Sequence, residues 1–400
     1  MNEGWDRRFI EDINAIFREE IDDRRFTSGA NILVLKHGEE LLYHEYGWRD
    51  KENRLPFSRD TIMRLYSMSK PITSAAVMLL VDRGALDLGT CLCWSMPGFG
   101  QGYAQIDSKR HKTAQEITVK DLLNMTSGIP YPGGEGASLQ SAAVFSELIG
   151  RMNTDNPMTT AEFSRRIGEC DLCFSPGDRF MYGASADILG ALVEQVSGMS
   201  FGEFLKKELF EPLEMSDSGF WVPEEKRHRL ARIYMTDYAA WQVVPAPQNA
   251  NHLGINYAMD KPPAFESGGA GLVSTLDDYA KFALMLLNKG EYKGRRILSK
   301  RAVEYMTSPS LMPWQLEELS RGWRSLSGFS YGNLMRVCTD PGQAYMLCEK
   351  GEYGWDGWLG CYFSNSPESG LTFLLGMQRT DCGTSQLTRR LINRIRSELS

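Results

Sequence analysis

The sequence predicts a mixed α/β fold: one antiparallel sheet built from both ends of the chain, flanked by terminal helices and interrupted by a mostly helical insertion. Three observations predict it. Strand-like runs occur near the start, at Asn31 to Lys36 and Leu41 to Tyr46, and again near the end, at Gly360 to Asn365 and Leu371 to Met377. Amphipathic helical stripes lie outside both sets. The stretch between them is rich in helical periodicity and Pro/Gly loops. Two chain ends that both supply strands most simply build one sheet. The expected division is a core from residues 1–85 and 264–400, with 86–263 as the inserted domain.

The elements follow in order. Phe9, Ile10, Ile13, Ile16, Phe17 and Ile21 fall on a 3.6-residue stripe with charges between them, so the chain begins with an amphipathic helix. NILVLK and LLYHEY then form a hairpin across His37-Gly38. An extended piece near Thr61 to Leu65 leads into a long helix from about Ser67 to Asp82, stopped by Gly84. In the middle, helices are expected at Val119 to Met125, Thr160 to Ile167, Ala184 to Val196 and Phe201 to Leu209, with few strands. Strand patterns return only with the pair around Ser366-Pro367. A last helix carries Leu387, Leu391, Ile395 and Leu399 on one face.

Composition narrows the function. The 400 residues are 42% hydrophobic and 24% charged, an ordinary globular balance. With 44 basic and 51 acidic residues the net charge is −7, and no basic run offers nucleic acid a positive face. The apolar run from Ala75 to Val81 falls far short of the roughly 20 residues of a membrane helix. Met1 to Asp6 shows no basic stretch followed by an apolar one, so a cytoplasmic protein with no membrane partner is expected. The eight cysteines, Cys170-Asp171-Leu172-Cys173 among them, read as packed or surface thiols, because no histidine stands near them to complete a metal site.

The sharpest chemical signal is Ser67-Met68-Ser69-Lys70, the one S-x-x-K in the chain. It sets a hydroxyl and an amine on one helix face. Serine is a weak nucleophile until a base takes its proton, and lysine is such a base only when burial or nearby positive charge lowers its pKa. Pro71 is tolerated only in a first turn, which places Ser67 at a helix N-terminus. Backbone N–H groups there favour developing negative charge. Two G-x-S-x-G runs compete, around Ser200 and Ser330. Ser330 has no histidine after it. Ser200 has His228 and His252 after it, but follows a helix and not a strand, and reads as a capping residue. His37, His44 and His111 read as surface or strand residues.

Around S-x-x-K the text resembles a known family. "DTIMRLYSMSKPITSAAVMLLVDRGALDL", "ITVKDLLNMTSGIPY", "SPGDRFMYGASADILGALVEQVSGMSFGEFL" and "GGAGLVSTLDDYAKFALMLLN" resemble, in order, blocks of the serine β-lactamases and penicillin-binding proteins. The branch is that of class C β-lactamases, DD-peptidases and family VIII carboxylesterases. The resemblance implies a β-lactamase-like fold and an acyl-enzyme mechanism. It makes Ser67 the nucleophile, Lys70 its proton partner, and Tyr182 a second base and proton donor. It makes the backbone N–H groups of Ser67 and Trp358 the oxyanion hole. It implies no cofactor and no metal, and a small-molecule acyl substrate as partner.

Two departures bear on substrate. Ala184 stands where the tyrosine motif usually has Asn, and Trp355-Asp356-Gly357 stands where β-lactamases have K-T-G. With Ala184, Trp355, Asp356, Gly357 and Trp358 as the expected pocket, both changes favour a neutral ester over a β-lactam. Met125 replaces a histidine common in the family, and no consequence follows. The aromatic run Tyr353, Trp355, Trp358, Tyr362 and Phe363 suits either sheet core or an acyl pocket. The reading is a carboxylesterase. An acyltransferase, a weak β-lactamase or a D-amino-acid peptidase would share its residues, and a silent scaffold would not need all three.

Overall fold

The computed structural model describes residues 6–100 and 102–399. The leader reading rests largely on residues 1–5, which lie outside the described residues. Eight antiparallel strands form the central sheet. We label them β1 (Gly29–Lys36), β2 (Glu39–Asp50), β3 (Leu55–Pro56), β4 (Phe329–Gly332), β5 (Met335–Cys338), β6 (Tyr353–Asp356), β7 (Tyr362–Ser366) and β8 (Leu371–Met377). Their spatial order is β4-β5-β6-β7-β8-β1-β2-β3, so the N-terminal hairpin adds directly to the last strand, with Ile32 opposite Leu375. No strand of this sheet comes from between residues 56 and 329.

The helices that matter are α1 (Arg7–Arg18), α2 (Ser69–Asp82), α3 (Gly136–Arg151), α4 (Thr160–Gly168), α5 (Ser185–Ser197), α6 (Leu276–Leu287), α7 (Pro313–Gly322) and α8 (Gln386–Leu399). Period-2 alternation in β1 sends its side chains to two different layers. Ile32 and Val34 join Phe9, Ile13, Leu391 and Ile395 of α1 and α8. Leu33 and Leu35 join α2 and α6 on the other face. Arg390 and Arg394 of α8 reach Glu19, Glu20 and Asp12 and tie the terminal helices together.

Several expectations change. Strand structure returns earlier than expected: β4, β5 and β6 precede the pair around Ser366, and every residue of β4 and β5 is buried. Each is only four residues long and buries a polar residue, Ser330 or Arg336, so no apolar run marks it. The middle of the chain also holds three two-stranded ribbons, at Tyr103–Ile106 with Lys109–Lys112, Tyr234–Asp237 with Gln242–Pro245, and Asn251–His252 with Ile255–Asn256. The helix α3 was not expected. Cys91 and Cys93 are bonded to each other, not separate thiols: Cys91 is extended and the chain then turns into the helix Leu92–Ser95, which brings the two Cα atoms to 5.4 Å. Cys170 and Cys173 are free. No described helix is long and apolar enough to cross a membrane.

Candidate active site

The S-x-x-K motif lies on a short turn and the helix it feeds. Tyr66–Met68 make one 3₁₀ turn, and α2 follows from Ser69, so the α-helix begins two residues later than Ser67. Pro71 is its third residue and needs no intrahelical partner. Tyr66, immediately before Ser67, has φ +48°, a strained value for a side chain of this size. Such strain persists where packing over-determines it, commonly at functional sites.

Lys70 is fully buried, and its Nζ lies 3.1 Å from Ser67 Oγ, 3.2 Å from the Tyr131 hydroxyl and 2.9 Å from the carbonyl of Gly269. Burial lowers its pKa to about 7, against the pull of Asp187 and Asp356. A substantial neutral fraction therefore exists at physiological pH, which a base requires. The Tyr182 ring lies beneath the same amine, with Nζ 4.6 Å from the ring centroid. Burial raises the Tyr182 pKa, while hydrogen bonds with Ser67 and Trp355 favour its ionised form. The Trp355 indole Nε1–H donates to the Tyr182 hydroxyl at 3.0 Å. Indole is donor only, so it holds the phenolic oxygen as an acceptor.

Close backbone approach assembles these pieces. A Cβ on Gly357 would lie 2.1 Å from the carbonyl of Leu65, so only glycine lets the segment before Trp358 pass the turn that carries Ser67. At Gly183 a Cβ would lie 2.0 Å from the carbonyl of Ile129, so glycine lets the Tyr182 segment pack against Ile129 to Tyr131. Behind Lys70, the carboxylate of Asp187, 2% exposed, accepts from the Gly269 N–H at 3.0 Å and from Ser267. It thereby aims the Gly269 carbonyl at Lys70. Helix α7 grips the turn and loop leading to Tyr182: Gln315 donates to the Gly177 carbonyl at 2.7 Å, Trp314 to that of Asp178 at 3.0 Å, and Glu318 accepts from the Phe180 N–H at 3.0 Å. Trp323, just beyond α7, packs its ring edge-to-face on Tyr182 at 5.0 Å.

Ser67 opens on a cleft of about 580 Å³ walled by Tyr66, Tyr131, Phe145, Ile149, Leu253 and Trp358, with Tyr182, Asn251 and His252 also on it. Of the five expected pocket residues, Trp358 lines it. Ala184 is fully buried as the residue before α5, and Trp355, 2% exposed, lies behind Tyr182. Gly357 serves as the close crossing described above. The Asp356 carboxylate accepts from Thr384, and burial raises its pKa. Sequence reading missed Tyr131, Asp187 and Gly269. All three lie inside the quoted blocks, but their meeting at Lys70 depends on segments up to 199 residues apart. The rival serines stand elsewhere. Ser330 is 2% exposed inside β4, its hydroxyl unpartnered. Ser200 caps the helix Phe201–Leu205, accepting from the Glu203 N–H at 3.2 Å.

A beta-lactamase family profile matches residues 13–393, and the chain belongs to that family, as a serine hydrolase of the β-lactamase fold. Among its relatives, Protein Rv1367c of Mycobacterium tuberculosis is 29% identical over 375 residues, 92% of this chain and 90% of that protein. Esterase EstB of Burkholderia gladioli is 28% identical over 382 residues, 91% and 88% of the two. The solved structure of EstCE1, described as a hydrolase with promiscuous acyltransferase activity, superposes with a TM-score of 0.79 at 22% identity, covering 98% of each chain.

Proposed function

We propose that the protein is a carboxylesterase that cleaves small uncharged esters through an acyl group carried on Ser67. The observation that carries this reading is a buried Lys70, its pKa lowered to about 7, held 3.1 Å from Ser67 Oγ behind a cleft whose lining, among the described residues, holds no Arg, Lys, Asp or Glu. Lys70 takes the proton as Ser67 Oγ attacks the ester carbonyl. The N–H groups of Ser67 and Trp358 hold the oxyanion, a contribution of several kcal/mol in sites of this kind. Tyr182, its oxygen held by Trp355, returns a proton to the departing alkoxide. Water then attacks the acyl carbonyl and gives a proton to the same Lys70–Tyr182 pair; the bond to Ser67 Oγ breaks, the pair returns a proton to Ser67, and the acid leaves. An alcohol in place of water completes an acyl transfer with the same groups.

A β-lactam or peptide bearing a carboxylate meets no cation in this lining. Loss of one charge-assisted hydrogen bond lowers the rate by roughly ten- to a hundredfold when it acts in the transition state. The test is kcat/KM for p-nitrophenyl acetate and butyrate against nitrocefin. The esters are expected to win by at least that factor, and a higher kcat/KM for nitrocefin refutes the reading.

A further inference from the structure

One wall of the cleft is a tight hairpin, Asn251–His252 paired with Ile255–Asn256 through Leu253 and Gly254. Both turn residues have positive φ, +52° at Leu253 and +76° at Gly254. Such a turn favours Asn-Gly, so leucine at its first position is held there against its preference. A Cβ on Gly254 would press on Leu148 of α3 at 2.4 Å, so the hairpin is seated closely on that helix. The device points Leu253 and His252 at the same cleft as Ser67.

The His252 ring lies flat on Trp358, centroids 3.9 Å apart and 17° from parallel. Trp358 is itself pinned, its Nε1–H donating to Asp381 at 2.9 Å. Nδ1 of His252 is buried and has no hydrogen-bond partner. An orphaned buried N–H is rarer and more costly than an orphaned lone pair, so the ring proton belongs on Nε2. Burial lowers the His252 pKa despite the opposing pull of Asp381, which keeps the ring uncharged at neutral pH. The wall then presents an oriented, neutral N–H donor among aromatic and aliphatic surfaces.

We propose that His252 is a specificity-determining residue whose Nε2–H donates to an uncharged acceptor oxygen on the substrate, away from the scissile bond. The preferred substrates are esters carrying an ether, hydroxyl or carbonyl oxygen in an otherwise apolar chain. This rests on the esterase reading above. It differs from that reading in predicting a preference between two esters and not between ester and β-lactam.

The experiment uses two isosteric pairs: pentyl butyrate with 2-ethoxyethyl butyrate, and butyl hexanoate with butyl 3-ethoxypropanoate. Each kcat/KM is divided by the alkaline hydrolysis rate of the same ester. The wild-type enzyme is expected to favour the oxygen-bearing member of at least one pair by about three- to tenfold, the worth of one neutral hydrogen bond. In His252→Phe, which retains a ring on Trp358, that ratio falls to about one. His252→Gln, which restores an N–H donor, recovers part of it. Thermal unfolding confirms that each variant is folded. Absence of preference in both pairs, or a wild-type ratio surviving in folded His252→Phe, overturns the proposal. Failure to hydrolyse any of the four esters instead refutes the esterase reading.

Discussion

The two faces of the sheet both bury carbon under helices but differ in the polar groups buried with it. Against one face, α1 and α8 lay an apolar stripe on Ile32, Val34, Phe373 and Leu375, and their charges pair outside it. Against the other, α2 carries Ser69, Lys70, Thr73 and Ser74 into the interior, each less than 1% exposed. Buried polar groups are costly unless partnered. Three of these four have partners: Lys70 binds Ser67, Tyr131 and Gly269, Thr73 donates to the carbonyl of Gly268, and Ser69 accepts from the N–H of Leu272. The difference teaches where each kind of energy is used. Both faces contribute stability by burying carbon under their own helices. The face under α2 in addition holds an amine where burial lowers its pKa.

The comparison is broken most severely at Ser67. Ser67→Ala is expected to abolish ester turnover and fluorophosphonate labelling. Ser330→Ala, which removes an unpartnered hydroxyl inside β4, should change stability by less than about 1 kcal/mol and leave kcat/KM nearly intact. Acyl adducts mapped by mass spectrometry to Ser200 or Ser330 would reverse the assignment.

Lys70→Ala and Tyr182→Phe should each lower kcat/KM by about two orders of magnitude or more. The double variant should be little worse than either, because groups that act as a unit are not additive. An additive double variant would separate their roles. On the other face, Ile13→Ala or Leu391→Ala, both at fully buried positions, should cost about 2–5 kcal/mol of stability. Their kcat/KM per folded molecule should stay close to wild type. A large kinetic effect with unchanged unfolding would show that the two faces are coupled.

Glu318→Ala removes the acceptor that α7 offers to Phe180 and Arg179. It should lower kcat by about tenfold with KM little changed, the worth of one such hydrogen bond felt at Tyr182. Glu318→Gln keeps an acceptor for the Phe180 N–H and should recover most of the loss. A fall in unfolding temperature alone would mark α7 as merely structural.

The smallest effect is in pH. Because the folded pKa of Lys70 is lowered to about 7, kcat/KM should rise as pH passes through that value and then level. The unfolded chain binds more protons at this lysine between about 7 and its ordinary pKa, so the same group makes stability rise with pH across that window. A rate that fell with rising pH near neutrality would exclude Lys70 as the base.

Much of the fold was legible where periodicity is plain. The α1 stripe, the β1–β2 hairpin and the pair β7–β8 each bury one kind of position and expose or separately bury the other. The strands β4 and β5 were not legible, because each is only four residues long and carries a buried polar residue, Ser330 or Arg336, within its apolar run. Of the site, Ser67 and Lys70 could be read because three residues along one chain bring them together. Tyr182 was read through resemblance alone.

By itself the sequence determined that Ser67 and Lys70 lie close on one turn, the sheet drawn from both termini, and the missing cation at Trp355. Their physical basis is local: side-chain spacing, hydrophobic period and charge. Only the tertiary structure decided that Ala184 and Trp355 lie behind the cleft, that Tyr131, Asp187 and Gly269 surround Lys70, and that His252 stacks on Trp358. These are contacts between segments far apart in the chain, set by glycines that admit backbone at 183 and 357 and by burial that no local pattern encodes.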